Sequence, residues 1–214
     1  MNAGIRLAFV LLVAPTPLLG QGFFDQFSYE GVRLSGVGVD AGAVFSNRLN
    51  TAFGGGLRLD WGNIAPRIRV LFTASYFKSD FKDAEIAEFE QQLEGLLPDT
   101  IDVSIDLGTI SWADIGLGLD LQYWFQPSPR VRPYGGLGFA VHFRDGDGAA
   151  IDGTFVENAL DMVDAGIVGS LGFEVAVTQT LLLTAEGRGE LSTELMTLSA
   201  RGGVTYRIPY RGAE

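Results

Sequence analysis

The chain has one histidine, His142, and no cysteine. Thiolate nucleophiles, disulfide staples and cysteine-ligated metals are excluded, and a single histidine builds no histidine-cluster metal site. By type, His142 suits general-base work beside a serine and a carboxylate. Its setting, Val141-His142-Phe143-Arg144, shows no such arrangement, and no motif directs Ser111 or Ser170 toward it. His142 therefore reads as a satisfied interior polar group. The run Asp145-Gly146-Asp147-Gly148 offers hard oxygen ligands, but it lacks the EF-hand spacing and its closing glutamate. The expectation is no enzyme: no catalytic residue, no cofactor and no resident metal.

The remaining chemistry lies in charges that alternate with apolar residues. In 113–125, Ile115, Leu117, Leu119, Leu121, Tyr123 and Phe125 form one face; Asp114, Gly116, Gly118, Asp120 and Gln122 form the other. A period of two is the signature of a strand with unlike faces. In 132–143, Leu137, Phe139, Val141 and Phe143 oppose Gly136, Gly138, Ala140 and His142. The pattern recurs about eight times, near 29–39, 51–61, 67–78, 113–125, 132–143, 165–177, 181–190 and 199–210. By parity, the expected interior polar network is Arg33, Arg58, Asp60, Arg69, Asp120, Glu174, Glu186, Arg188, Glu190, Arg201 and Arg207, with Leu71 as an apolar exception. An eight-stranded barrel is just wide enough for its side chains to fill. Charges enclosed there must pair or meet water, because an isolated buried charge is very costly. The expectation is a set of Arg–carboxylate pairs with ordered water.

Connections follow the same logic. Short turns are expected near 62–66, 126–131 and 178–180, and longer loops near 40–50, 79–110, 144–164 and 191–198. In the second long loop, Ile86, Phe89, Leu93 and Leu96 or Leu97 recur at helical spacing between acids, predicting an amphipathic helix over 82–97, before Pro98. Such a helix covers the barrel mouth, lies at the headgroups or docks a partner. The loops are acidic, which reads as a hydrated surface or, alternatively, as cation bridging to anionic headgroups.

Length, charge and leader narrow the setting. With 214 residues the chain supports one domain with a real core. A net charge of −11 makes nucleic acid a poor partner. Arg6 followed by LAFVLLVAPTPLLG reads as a secretory signal peptide over 1–21, ahead of a barrel domain over 23–210.

With these features the chain resembles the small eight-stranded outer-membrane β-barrel proteins, the OmpA-type transmembrane domain and its OmpX-like relatives. YGGLGFAVHF is similar to the glycine-and-aromatic central strands of that superfamily, and Tyr206, Ile208 and Tyr210 match its closing alternation, although the chain runs on through 211–214. The resemblance implies an all-β fold: an eight-stranded antiparallel up-and-down transmembrane barrel with a short helix in the second long loop, in the outer membrane of a Gram-negative-type envelope. It implies outer-membrane lipids and the barrel-assembly machinery as partners, and leaves 79–110 as a surface for an envelope or surface protein. A structural or surface-interaction role leads. A small or gated ion channel is the alternative, and a lipid-modifying outer-membrane enzyme is disfavoured. A soluble lipocalin-like barrel requires the inverse pattern, an apolar cavity under a polar exterior.

Overall fold

The computed structural model describes residues 27–28, 30–95, 105–125, 128 and 130–209. The expected leader, the helix end at 96–98, most of the turn at 126–130, and Tyr210 with the tail lie outside the described residues. Eight strands follow in order: β1 Gly36–Ser46, β2 Ala52–Ala65, β3 Ile68–Asp80, β4 Ser111–Trp124, β5 Val131–Asp147, β6 Met162–Ala176, β7 Leu181–Ser192 and β8 Met196–Arg207. Helix α1, Asp83–Glu94, joins β3 to β4, and a short α2, Phe155–Leu160, lies between β5 and β6. Each strand pairs antiparallel with the next, and β1 pairs β8 from Gly36↔Arg207 to Ser46↔Thr197, closing the barrel. Closure satisfies every ladder without an open edge, the one arrangement by which strands cross a bilayer.

Alternation decides which way each side chain faces. Along β4, Ile115, Leu117, Leu121 and Tyr123 are exposed on the outside, while Asp114, Asp120 and Gln122 are buried within. Leu71 is buried on the inner face, the one apolar residue expected there, and Val168 and Leu182 join it. Two glycines have local causes. Gly62 adopts φ 77°, within the register shift of β2 between Asp60 and Asn63, and donates its N–H to the Asp60 carboxylate at 2.7 Å. Only glycine takes that conformation cheaply. At Gly138 a Cβ would collide with the Asp120 carboxylate and the Leu119 carbonyl, so the missing side chain makes room for an interior charge.

Three expectations are corrected. The first strand runs over Gly36–Ser46, not 29–39, because pairing with β2 begins at Gly36↔Asp60. Its outward face, Val37, Val39, Ala41, Ala43 and Phe45, carries small residues that weaken the pattern. Consequently Arg33 is not interior. It is exposed in the lead-in to β1, its N–H donating to the Trp61 carbonyl at 3.0 Å. Gly36 and Gly38 of this strand are buried on the inner face. Finally, the loops at 47–51 and 193–195 are as short as the turns, since β1 and β8 extend further than their hydrophobicity indicates; only 81–110 and 148–161 are long.

Candidate functional site: a charged lumen under an apolar plug

The lumen holds three levels of charge. Nearest the short turns, Glu186 accepts from Arg58 Nη2 at 2.6 Å, Tyr134 Oη at 2.7 Å and Gln122 Nε2 at 3.3 Å. Arg69 donates to Gln122 Oε1 at 2.6 Å, to Glu174 at 2.6 Å and to Asp60 at 3.1 Å. Its guanidinium lies 4.2 Å from the Trp124 ring centroid, and Arg132 approaches the same ring at 5.1 Å. At mid-height Arg188 pairs with Asp120 at 2.5 Å, and Arg201 approaches Asp40 at 3.4 Å. Toward the long loops, His142 lies between Asp114, at 2.8 Å from Nδ1, and Glu190, which faces Nε2. Arg144 bonds Asp114 and Asp164, each at 2.8 Å, and donates to Ser192 Oγ at 3.0 Å.

Burial explains why these groups pair. Arg58, Arg69, Asp120 and Glu174 are each at most 4% exposed. Enclosed charges are stable only when their lone pairs and protons find partners. Such pairs add little net stability against an apolar filling, yet removing one partner leaves an uncompensated charge. The arrangement therefore fixes one packing of the lumen rather than adding large net energy.

Above the upper level lies an apolar plug. Leu49, Phe81, Leu107, Ile110, Trp112, Ile151, Val156 and Leu195 form one buried cluster with Val44 and Phe77 of the barrel wall. Ile86, Phe89 and Leu93 of α1 pack against it. Trp112 is pinned by its indole N–H, which donates to the Leu160 carbonyl at 3.1 Å, and its ring lies 4.8 Å from that of Phe81. Polar ties hold the helix down. Arg48 bonds Glu85 at 2.8 Å, Lys82 Nζ donates to the Ser46 and Asn47 carbonyls, and Glu90 accepts from the Leu107 N–H at 2.8 Å. Of the three placements open to the predicted helix, this one is at the mouth.

Among the predicted interior residues, the structure brings Arg58, Asp60, Arg69, Glu174 and Glu186 into one level, Asp120, Arg188 and Arg201 into the next, and Glu190 into the upper one. Arg207 ends β8 half-buried, its N–H donating to the Thr180 carbonyl at 2.7 Å. Sequence reasoning missed Asp40, because strand one was drawn too early, and Arg144, which shares the parity of His142 one step past the drawn strand. Asp114 and Gln122 were on the correct face but not counted in the network. Tyr134 and Trp124 carry no charge to flag them.

The histidine is not arranged for acyl transfer, since a carboxylate faces each ring nitrogen. Asp147 is engaged by Lys78 at 2.8 Å, and among the described residues no three acidic or histidine side chains converge to hold a metal.

The outer surface completes the picture. Phe53, Leu137, Ile167, Leu171, Val163 and Leu198 are all more than half exposed, a belt of apolar side chains around a polar interior. That inversion of a soluble protein is a stable arrangement only in lipid. No protein-family model matches the chain, and no curated protein matches it by sequence. Solved structures do. Neisserial surface protein A is 16% identical, covered over 84% of this chain and 100% of its own, with a TM-score of 0.55. The Yersinia pestis attachment invasion locus protein Ail is 10% identical over 81% of this chain and 99% of its own, at 0.48. The β-barrel domain of Pseudomonas aeruginosa OprF is 15% identical over 81% and 98%, at 0.45. The chain has the fold of the small eight-stranded outer-membrane β-barrels, and its apolar belt suits that fold to a bilayer.

Proposed function

We propose that the protein is a closed, non-conducting barrel of the outer membrane with a structural or surface-directed role. The observation that carries this is the double obstruction of the lumen. Arg–carboxylate pairs span it from wall to wall, as Arg58 of β2 does to Glu186 of β7. The plug of Trp112, Ile151 and Leu49 then covers its long-loop end. An ion would have to break charge-assisted bonds and also enter an apolar constriction. In this reading the interior network, including Glu190, Arg201 and Arg207, is a seal and a filling rather than a pathway. Lipids and the assembly machinery are its partners in biogenesis. The surface it offers outward is the α1 segment within 79–110, where a docked envelope protein would meet acidic side chains.

Planar-bilayer recording of the refolded full chain tests this. Silence from a folded, heat-modifiable barrel supports the seal. Steady openings sink it in favour of a small or gated channel.

A further inference from the structure

The two rims of the barrel carry opposite charge. Around the short turns, in residues 30–36, 59–70, 121–135, 173–182 and 204–209, the described residues hold six arginines against Glu30, Asp60 and Glu174. Asp60 and Glu174 are engaged inside the barrel by Arg69. Among the described residues neither Arg67 nor Arg130 forms an ion pair. Arg67 is exposed at the tip of the β2–β3 turn, and Arg130 is exposed at the start of β5.

We infer that Arg67 and Arg130 form a collar that binds the phosphates of anionic phospholipids in the leaflet surrounding the short turns. Depth is the first argument. Arg67 Nη1 donates to the Tyr123 hydroxyl at 3.4 Å, and the Tyr123 ring is exposed outward, 5.5 Å from that of Phe125. Outward aromatic rings mark the level where hydrocarbon gives way to headgroups. A guanidinium tied to that ring lies at phosphate height, with its remaining N–H donors turned to the interface. Chemistry is the second argument. Guanidinium presents a planar fork that matches phosphate oxygens, and long basic side chains reach for headgroups from this depth. Size is the third: turns this short give a soluble protein little to grip, whereas lipid headgroups surround the rim on every side. The inference rests on the barrel spanning a bilayer, as proposed above.

Spin-labelled phosphatidylglycerol and spin-labelled phosphatidylcholine, each added to phosphatidylcholine vesicles holding the refolded full chain, report the lipid immobilised at the barrel surface. The native chain is expected to prefer phosphatidylglycerol by about fivefold for each arginine that reaches a phosphate. The combined Arg67→Gln and Arg130→Gln variant loses that preference while remaining heat-modifiable. Arg67→Gln alone lowers it, which keeps the test open if the double variant fails to fold. Asp83→Asn with Glu85→Gln, at the opposite rim, leaves it unchanged. Replacing chloride by inorganic phosphate at matched ionic strength also leaves it unchanged. Equal immobilisation of the two lipids by the native chain overturns the collar alone; immobilisation of neither overturns the bilayer reading with it. Persistence of the preference in both arginine variants overturns the collar, and its loss to free phosphate reassigns the arginines to a soluble anion.

Discussion

The two ends of this barrel solve the problem of a closed lumen differently. At the short turns the filling is charged: Glu186 gathers Arg58, Tyr134 and Gln122, and Arg69 reaches three acceptors across the bore. At the long loops the filling is apolar, with Ile151, Leu49 and Trp112 at most 2% exposed. The outer surfaces reverse this order. Outside the lumen the described residues of the loop end, in 76–95, 105–113, 143–163 and 191–199, carry 13 carboxylates, whereas the turn end is rich in arginine. The contrast has a physical origin. Side chains that line a narrow bore come from strands with a polar inner face, so only pairing can fill it. Loops 81–110 and 148–161 are long enough to fold their own apolar residues over the mouth and leave their acids in water.

If the turn end is held by obligatory pairing, breaking its hub costs most. Glu186→Ala strands Arg58, which is 4% exposed, and should destabilise the barrel by about 3–5 kcal/mol in denaturant titration of the micelle-bound protein. A loss under about 1 kcal/mol would mean that water replaces the carboxylate and the lumen is wetter than its geometry implies. Between the two ends lies the apolar belt. Leu117→Arg, at an outward and half-exposed position of β4, should cost about 2–4 kcal/mol in bilayers. The same change at either rim should cost far less, and a uniform cost along the strand would contradict a transmembrane placement.

The plug responds more locally. Ile151→Ala removes a fully buried side chain and should cost about 2–3 kcal/mol, toward the low side of such deletions because loops can collapse around the void. Hydrogen exchange should quicken in 81–110 and 148–161 and stay slow in the β4–β5 ladder; faster exchange throughout would make plug and barrel one cooperative unit. The smallest effect belongs to the rim. Lys78→Ala breaks the pair with Asp147, both partners being widely exposed, and should leave the unfolding midpoint where it was.

Legibility in the sequence followed the range of the interaction. The strong strands were readable because β4 and β5 alternate bulky apolar residues with glycine and charge, and facing is a local property. Strand β1 was misplaced because Ala41 and Ala43 make a weak outer face, and the error carried Arg33 into the lumen and left Asp40 out. The short α2 escaped notice, since six residues give no period to read. Helix α1 was visible through Ile86, Phe89 and Leu93, although its place at the mouth was one of three open choices.

What the amino-acid order determined by itself, in the strands that alternate strongly, is the inside and the outside: which residues face lipid, which face the bore, and that the bore must be polar. A two-residue period records this without reference to any other strand. What only the tertiary structure decided is who meets whom. Arg58 and Glu186 stand 128 residues apart, and His142 lies between Asp114 and Glu190 from two other strands. Those partnerships depend on closure through β1 and β8, on the register of each ladder and on the loops folding inward. All three arise from contacts between distant segments, which leave no period in the chain.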